Sequence, residues 1–118
     1  MSQDDDGSRE LVPRERAALQ RLLGLDFQGV HELRLQAEAV RAKGAGLIID
    51  LVVDGLLPTA QVARRVPVQA VVDGAGYDGG LLLYVDEGRL SCLEYWWVTE
   101  DPPNDLPPIE VIGALLLG

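Results

Sequence analysis

Residues 79–98, Gly-Gly-Leu-Leu-Leu-Tyr-Val-Asp-Glu-Gly-Arg-Leu-Ser-Cys-Leu-Glu-Tyr-Trp-Trp-Val, set two apolar and aromatic runs on either side of Asp86-Glu87-Gly88. Branched and aromatic side chains suit a pleated surface, and Gly88 can take the left-handed conformation that a short hairpin loop requires. Strands are therefore predicted at residues 81–86 and 90–98, paired antiparallel. Alternation puts Leu93, Tyr95 and Trp97 on one face of the second strand, and Leu90, Cys92, Glu94, Trp96 and Val98 on the other. Each face thus carries a tryptophan. One indole is expected in a helix-covered core and the other on a binding surface, since aromatic rings beside polar groups are common at interfaces.

The remaining elements follow from periodicity and punctuation. Residues 11–24 read as a helix opened by Pro13, lined by Ala18, Leu19, Leu22 and Leu23, and stopped by Gly24. A second helix is expected over residues 28–39, capped by Asp26, with Val30, Leu33 and Ala37 inward. A short strand is possible over residues 38–42. Residues 47–53 form a strand more buried than exposed. Residues 66–72 form another, with Val66, Val68, Ala70 and Val72 on one face and Pro67 making its beginning irregular. The fold class is α+β: an antiparallel four- to five-stranded meander sheet packed on one face by two N-terminal helices.

At 118 residues, 47% of them hydrophobic and 25% charged, the chain suits one domain with one core, residues 11–118, preceded by a disordered acidic tail, residues 1–10. Four prolines within residues 102–108 impose an extended segment. Beyond it Ile109, Val111, Ile112, Leu115, Leu116 and Leu117 are too apolar to leave wet. The stretch from 109 to Gly118 is expected to dock as an edge strand or short helix, on the domain or on a second copy as a homo-oligomer contact.

Charge is unevenly placed. Residues 1–65 carry nine Arg or Lys against ten acids, whereas residues 66–118 carry Arg89 alone against nine acids, within a net charge of −9. Such a surface repels phosphate backbones, so nucleic-acid binding is not expected; it attracts a basic protein partner or a metal cation, or else serves only to keep a small domain soluble. Cys92 is the only cysteine, which excludes an internal disulfide and any cysteine-built metal cluster. No basic segment followed by an apolar run opens the chain, and its apolar runs fall short of the roughly 20 residues that span a bilayer, so no membrane partner and a cytoplasmic location are expected.

No cofactor, metal or catalytic constellation is expected. Gly74-Ala75-Gly76-Tyr77-Asp78-Gly79 matches G-x-G-x-x-G, but Gly79 leads into a strand where a dinucleotide site would need a helix, so the string reads as a hairpin turn. His31 reads as an exposed helix residue, Cys92 as a small buried thiol, and the acid pairs Asp86-Glu87 and Glu100-Asp101 as solvated. Glu94 stands out because it interrupts the apolar hairpin. Facing inward, it would need a donor or a raised pKa.

The run Gly88-Arg89-Leu90-Ser91-Cys92-Leu93-Glu94-Tyr95-Trp96-Trp97-Val98-Thr99-Glu100-Asp101-Pro102-Pro103, with Leu106-Pro107, resembles a group of small actinobacterial proteins whose sheet ends in a G-x-L-S-x-L-E-[YF]-x-W-x-T-D-E-x-P-T-x-L-P motif. The opening of residues 13–19 and Ile49-Asp50-Leu51-Val52-Val53-Asp54 are similar as well. The resemblance implies the fold and no catalytic residue. Members of that group often have a cysteine-rich run where this chain has Lys43-Gly44-Ala45-Gly46, so a thiol or metal function built on it is not implied. The expected function is a noncatalytic protein-interaction module, accessory or immunity-type, with Glu94, Glu100 and Asp101 among its partner-binding residues. The alternatives are a small-ligand binder or enzyme with an aromatic pocket of Tyr84, Tyr95, Trp96 and Trp97 around Glu94, and a self-assembling structural component.

Overall fold

The structure is a computed structural model that describes residues 7–117. Pro13 opens helix α1 (Pro13–Leu22), where its missing N–H would have had no helical acceptor. Glu15 closes the first turn. Its carboxylate accepts from the Val12 amide at 3.0 Å and from two nitrogens of Arg9 at 2.8 and 2.7 Å. Ala18, Leu19 and Leu22 are buried inward from α1, and Val30, Leu33 and Ala37 from α2 (Val30–Ala37), as their spacing predicts. The expected Asp26 cap is not made. Gly29, with φ of 93°, takes the N-cap position of α2, and Asp26 pairs with Arg34 at 3.2 Å. The two helices satisfy each other's carboxyl ends: Arg34 donates to the Leu23 carbonyl at 2.8 Å, and Arg16 to that of Ala37 at 3.1 Å. Cations there oppose the negative end of the helix dipole.

The described residues form an α+β fold with one antiparallel sheet of seven strands: β1 (Arg9–Glu10), β2 (Arg41–Lys43), β3 (Ile48–Val52), β4 (Val68–Gly74), β5 (Tyr77–Asp86), β6 (Arg89–Trp97) and β7 (Ile112–Leu117). Their order is β1-β2-β3-β6-β5-β4-β7, which corrects the expected four- to five-stranded meander in number and connectivity. Only β4, β5 and β6 form the meander. β3 pairs with β6, and the chain returns past β4 to add β7 at the far edge. The additions are legible only in part, because a two-residue strand has no measurable period and an uninterrupted apolar tail has no alternation. The expected tail of residues 1–10 falls on residues 1–6, which lie outside the described residues, and on Arg9 and Glu10, which pair with Ala42 and Arg41. Residue 118 also lies outside them.

The β4–β5 and β5–β6 hairpins use two-residue loops with positive φ at each position: Ala75 and Gly76 at 52° and 86°, Glu87 and Gly88 at 49° and 79°. That handedness matches the twist of the flanking strands. The G-x-G-x-x-G string is thus the β4–β5 turn, with Gly79 already inside β5. At the other turn, a side chain on Gly88 would meet Thr59 at 2.7 Å and the Ala60 carbonyl at 2.9 Å.

One face of the sheet packs on the helices. Ile49, Leu51, Val68, Ala70, Val72, Leu81, Leu83, Leu93 and Tyr95 point into this core. Leu90 joins them, contrary to the simple alternation. The register passes from Tyr84–Cys92 to Val85–Leu90, so Ser91 is an extra residue that turns the strand over. Tyr95 is fully buried. Its hydroxyl donates to the Asp78 carbonyl at 3.2 Å and accepts from the Asp78 amide at 3.0 Å. The proline-rich segment folds back over this end: Leu106 is buried, and Arg14 donates to its carbonyl at 2.9 Å and pairs with Asp105 at 3.1 Å. Among the described residues no helix is long and apolar enough to cross a membrane.

Candidate functional site

The helices cover one side of the sheet, and the other side is the candidate site. Strand alternation delivers Ile48 and Asp50 from β3, Cys92, Glu94 and Trp96 from β6, Leu82 and Tyr84 from β5, and Gln69, Val71 and Asp73 from β4. Cross-strand register sets them in rows: Ile48, Glu94 and Leu82; Asp50, Cys92 and Tyr84; Trp96, Gly80 and Val71. Ile48 is 56%, Trp96 39% and Val71 37% exposed.

Trp96 owes its position to Gly80 opposite. A Cβ on Gly80 would lie 2.7 Å from the indole ring, so the ring occupies the space that a side chain there would fill. Aromatic packing over a sheet glycine restores the apolar contact that glycine lacks. Gly79 is equally constrained: its φ is 148°, and any side chain would run into the Trp96 carbonyl.

Glu94 faces outward, away from the helices. It accepts from the Tyr84 hydroxyl at 3.0 Å, a diagonal contact across β5 and β6. Partial burial raises the Tyr84 pKa, and the hydrogen bond to Glu94 raises it further. Cys92 is half-buried between Tyr84 and Asp50, and burial followed by the charges of Asp50 and Glu94 pushes its pKa up to about 11. At neutral pH the group is a thiol, the poorly nucleophilic form.

Acids and apolar groups alternate across this face. Asp73 lies opposite Asp78 at the β4–β5 end, while Asp50 has Lys43 opposite it on β2 and Tyr84 has Arg65. Glu100 and Asp101 are exposed in the loop after β6. The geometry thus brings Tyr84, Glu94 and Trp96 together and separates Tyr95, which lies in the core on the opposite face. Trp97 has the parity of Tyr95 but ends the strand and is 40% exposed, so the expectation of a core indole is corrected for both tryptophans. The five aromatic and acidic residues do not line one cavity. Clefts of about 260 and 330 Å³ lie elsewhere, between α1 and α2 near Arg16 and Arg34, and beneath the proline-rich segment near Arg9 and Arg14.

Sequence reasoning did not single out Ile48, Asp50 or Val71. For β3 the signal was present: Ile48-Ile49-Asp50-Leu51 places a carboxylate on alternate parity to Ile49 and Leu51, which are buried. Among the described residues no three His, Cys, Asp or Glu side chains converge as a metal ion requires. Comparisons with protein-family models, curated proteins and solved structures return no match to this chain.

Proposed function

We propose that this chain is a noncatalytic protein-interaction module, accessory or immunity-type, that presents the helix-free face of its sheet to a partner bearing aliphatic and basic side chains. The observation that carries the reading is the exposure of Trp96, Ile48 and Val71 on one continuous surface beside Asp50, Asp73, Asp78 and Glu94. A contiguous apolar patch rimmed by polar groups marks an interaction surface in water-soluble folds, and a central tryptophan is the residue type that most often dominates such contacts. The acids give the face its choice of partner: opposite charge steers association, and a buried like charge would oppose it. Glu94 fits this role because the Tyr84 hydroxyl fixes its carboxylate at the surface of the sheet.

Affinity capture of basic proteins at low salt tests the reading, using the wild-type chain beside Trp96→Ser and Glu94→Lys. The expected result is a retained protein that Trp96→Ser loses and Glu94→Lys weakens by about tenfold, consistent with one displaced charge pair at an interface. Equal retention by all three chains, or capture of no basic protein, contradicts it.

A further inference from the structure

The two edges of the sheet are not alike. β1 is two residues long and both are charged, and Arg41 of the neighbouring strand donates to the Ser8 hydroxyl and carbonyl at 2.9 and 3.1 Å. Short, charged edges of this kind resist pairing with another chain. β7 has six residues, and from Val111 to Leu117 the chain carries neither charge nor proline. Its beginning is occupied. The register to β4 gains one residue between Ile112 and Leu115, and Arg21 donates to the Gly113 carbonyl at 2.9 Å. Beyond that point residues 115–117 pair regularly with residues 68–70 on one side, and the other side is the sheet edge.

We propose that this edge is a homodimer joint, in which β7 of a second copy adds antiparallel across a two-fold axis near Leu116 and carries one sheet into the other. An edge of backbone donors and acceptors accepts an extended strand. Charge selects which one. A basic partner is drawn to the carboxylates elsewhere and finds none on β7, whereas two chains of net charge −9 can approach closely only where the joint itself is uncharged. An isologous contact also requires a segment that tolerates lying opposite itself, and Leu115-Leu116-Leu117 sets leucine positions against leucine positions. This goes beyond the interaction reading and leaves the helix-free face open, so the dimer presents two copies of it on one extended sheet.

Sedimentation equilibrium of the full chain across the micromolar range tests the joint. The expected mass is twice the 12.8 kDa of the chain, with association strengthened by added salt as screening reduces repulsion between the acidic copies. Leu116→Lys, at the register position opposite Gln69, opposes two like charges at the axis and weakens the dimer by at least about tenfold, whereas Leu116→Thr keeps it. Circular dichroism of both variants confirms that they fold. A monomer at every concentration overturns the proposal, and so does a dimer unaffected by Leu116→Lys. Loss of the dimer in Trp96→Ser moves the joint to the helix-free face and overturns it as well. Partner capture by folded Leu116→Lys is read separately, because that variant leaves Trp96 and Glu94 in place.

Discussion

Gln36 is the residue on which three separate parts of the chain converge. It is fully buried in α2, donates to the carbonyls of Pro58 and Gly88 at 2.8 and 2.9 Å, and accepts from the Leu90 amide at 2.9 Å. The Ala60 amide also donates to Gly88, at 2.8 Å. One side chain therefore fixes the second hairpin turn against the helix and the connection before β4. Gln36→Leu keeps the volume but strips partners from buried backbone groups, so it destabilises the fold by about 2 kcal/mol in a denaturant titration. A loss within about 0.5 kcal/mol would mean that water or a relaxed loop takes over those bonds. Nothing in the sequence marks this residue, because a lone glutamine in a helix reads as wet until its neighbours are known. Glu94 is the opposite case: its interruption of an apolar strand is visible in the sequence, and its face depends on a register that only pairing settles.

Among the elements, α1 carries the clearest electrostatic dependence. Burial favours the neutral form of Glu15, but the Arg9 guanidinium and the Val12 amide outweigh it and hold the carboxyl below its ordinary value of 4.5. The unfolded chain binds this proton first as pH falls, so the stabilisation is present above the ordinary carboxylate value and is lost as pH drops through the folded one. Glu15→Gln is expected to lower stability at pH 7 by about 1 kcal/mol and to flatten the acid side of the stability profile, measured by denaturant titration between pH 3 and 7. An unchanged acid limb would remove Glu15 from the account. The helices, β4 and the hairpin of β5 and β6 were legible because each repeats one period for at least two turns or several alternations. β1 was not, because it is too short to have a period, and β7 only in part: its apolar run demanded docking as an edge strand or a short helix but was too uniform to choose, and the edge strand is what forms. The Ser91 bulge escaped for a third reason, since a single added residue leaves no compositional trace and reverses the parity of Leu90.

At the scale of the molecule, two helices cover one side of a seven-stranded sheet; Asp50, Asp73, Asp78 and Glu94 lie around the uncovered side, while Asp105 pairs with Arg14 of α1 on the covered one. The α+β class and the helix-backed sheet followed from pattern alone. The candidate site followed only in part: Tyr84, Glu94 and Trp96 share a face as alternation requires, whereas Tyr95 and Trp97 belong to the other parity. Val71 joins the site through the β4–β5 hairpin that the glycine-rich turn announces, and Ile48 through the pairing of β3 with β6, which no local pattern encodes.

The most direct test is hydroxyl-radical footprinting of the protein alone and loaded with the basic partner that it retains. The account predicts that Ile48, Val71 and Trp96 are labelled in the free protein and protected together in the complex, while Leu35 on the exposed side of α2 is labelled in both. Protection of Leu35 with unchanged labelling of Trp96 would place the partner on the helices and contradict the assignment of the uncovered sheet as the binding surface.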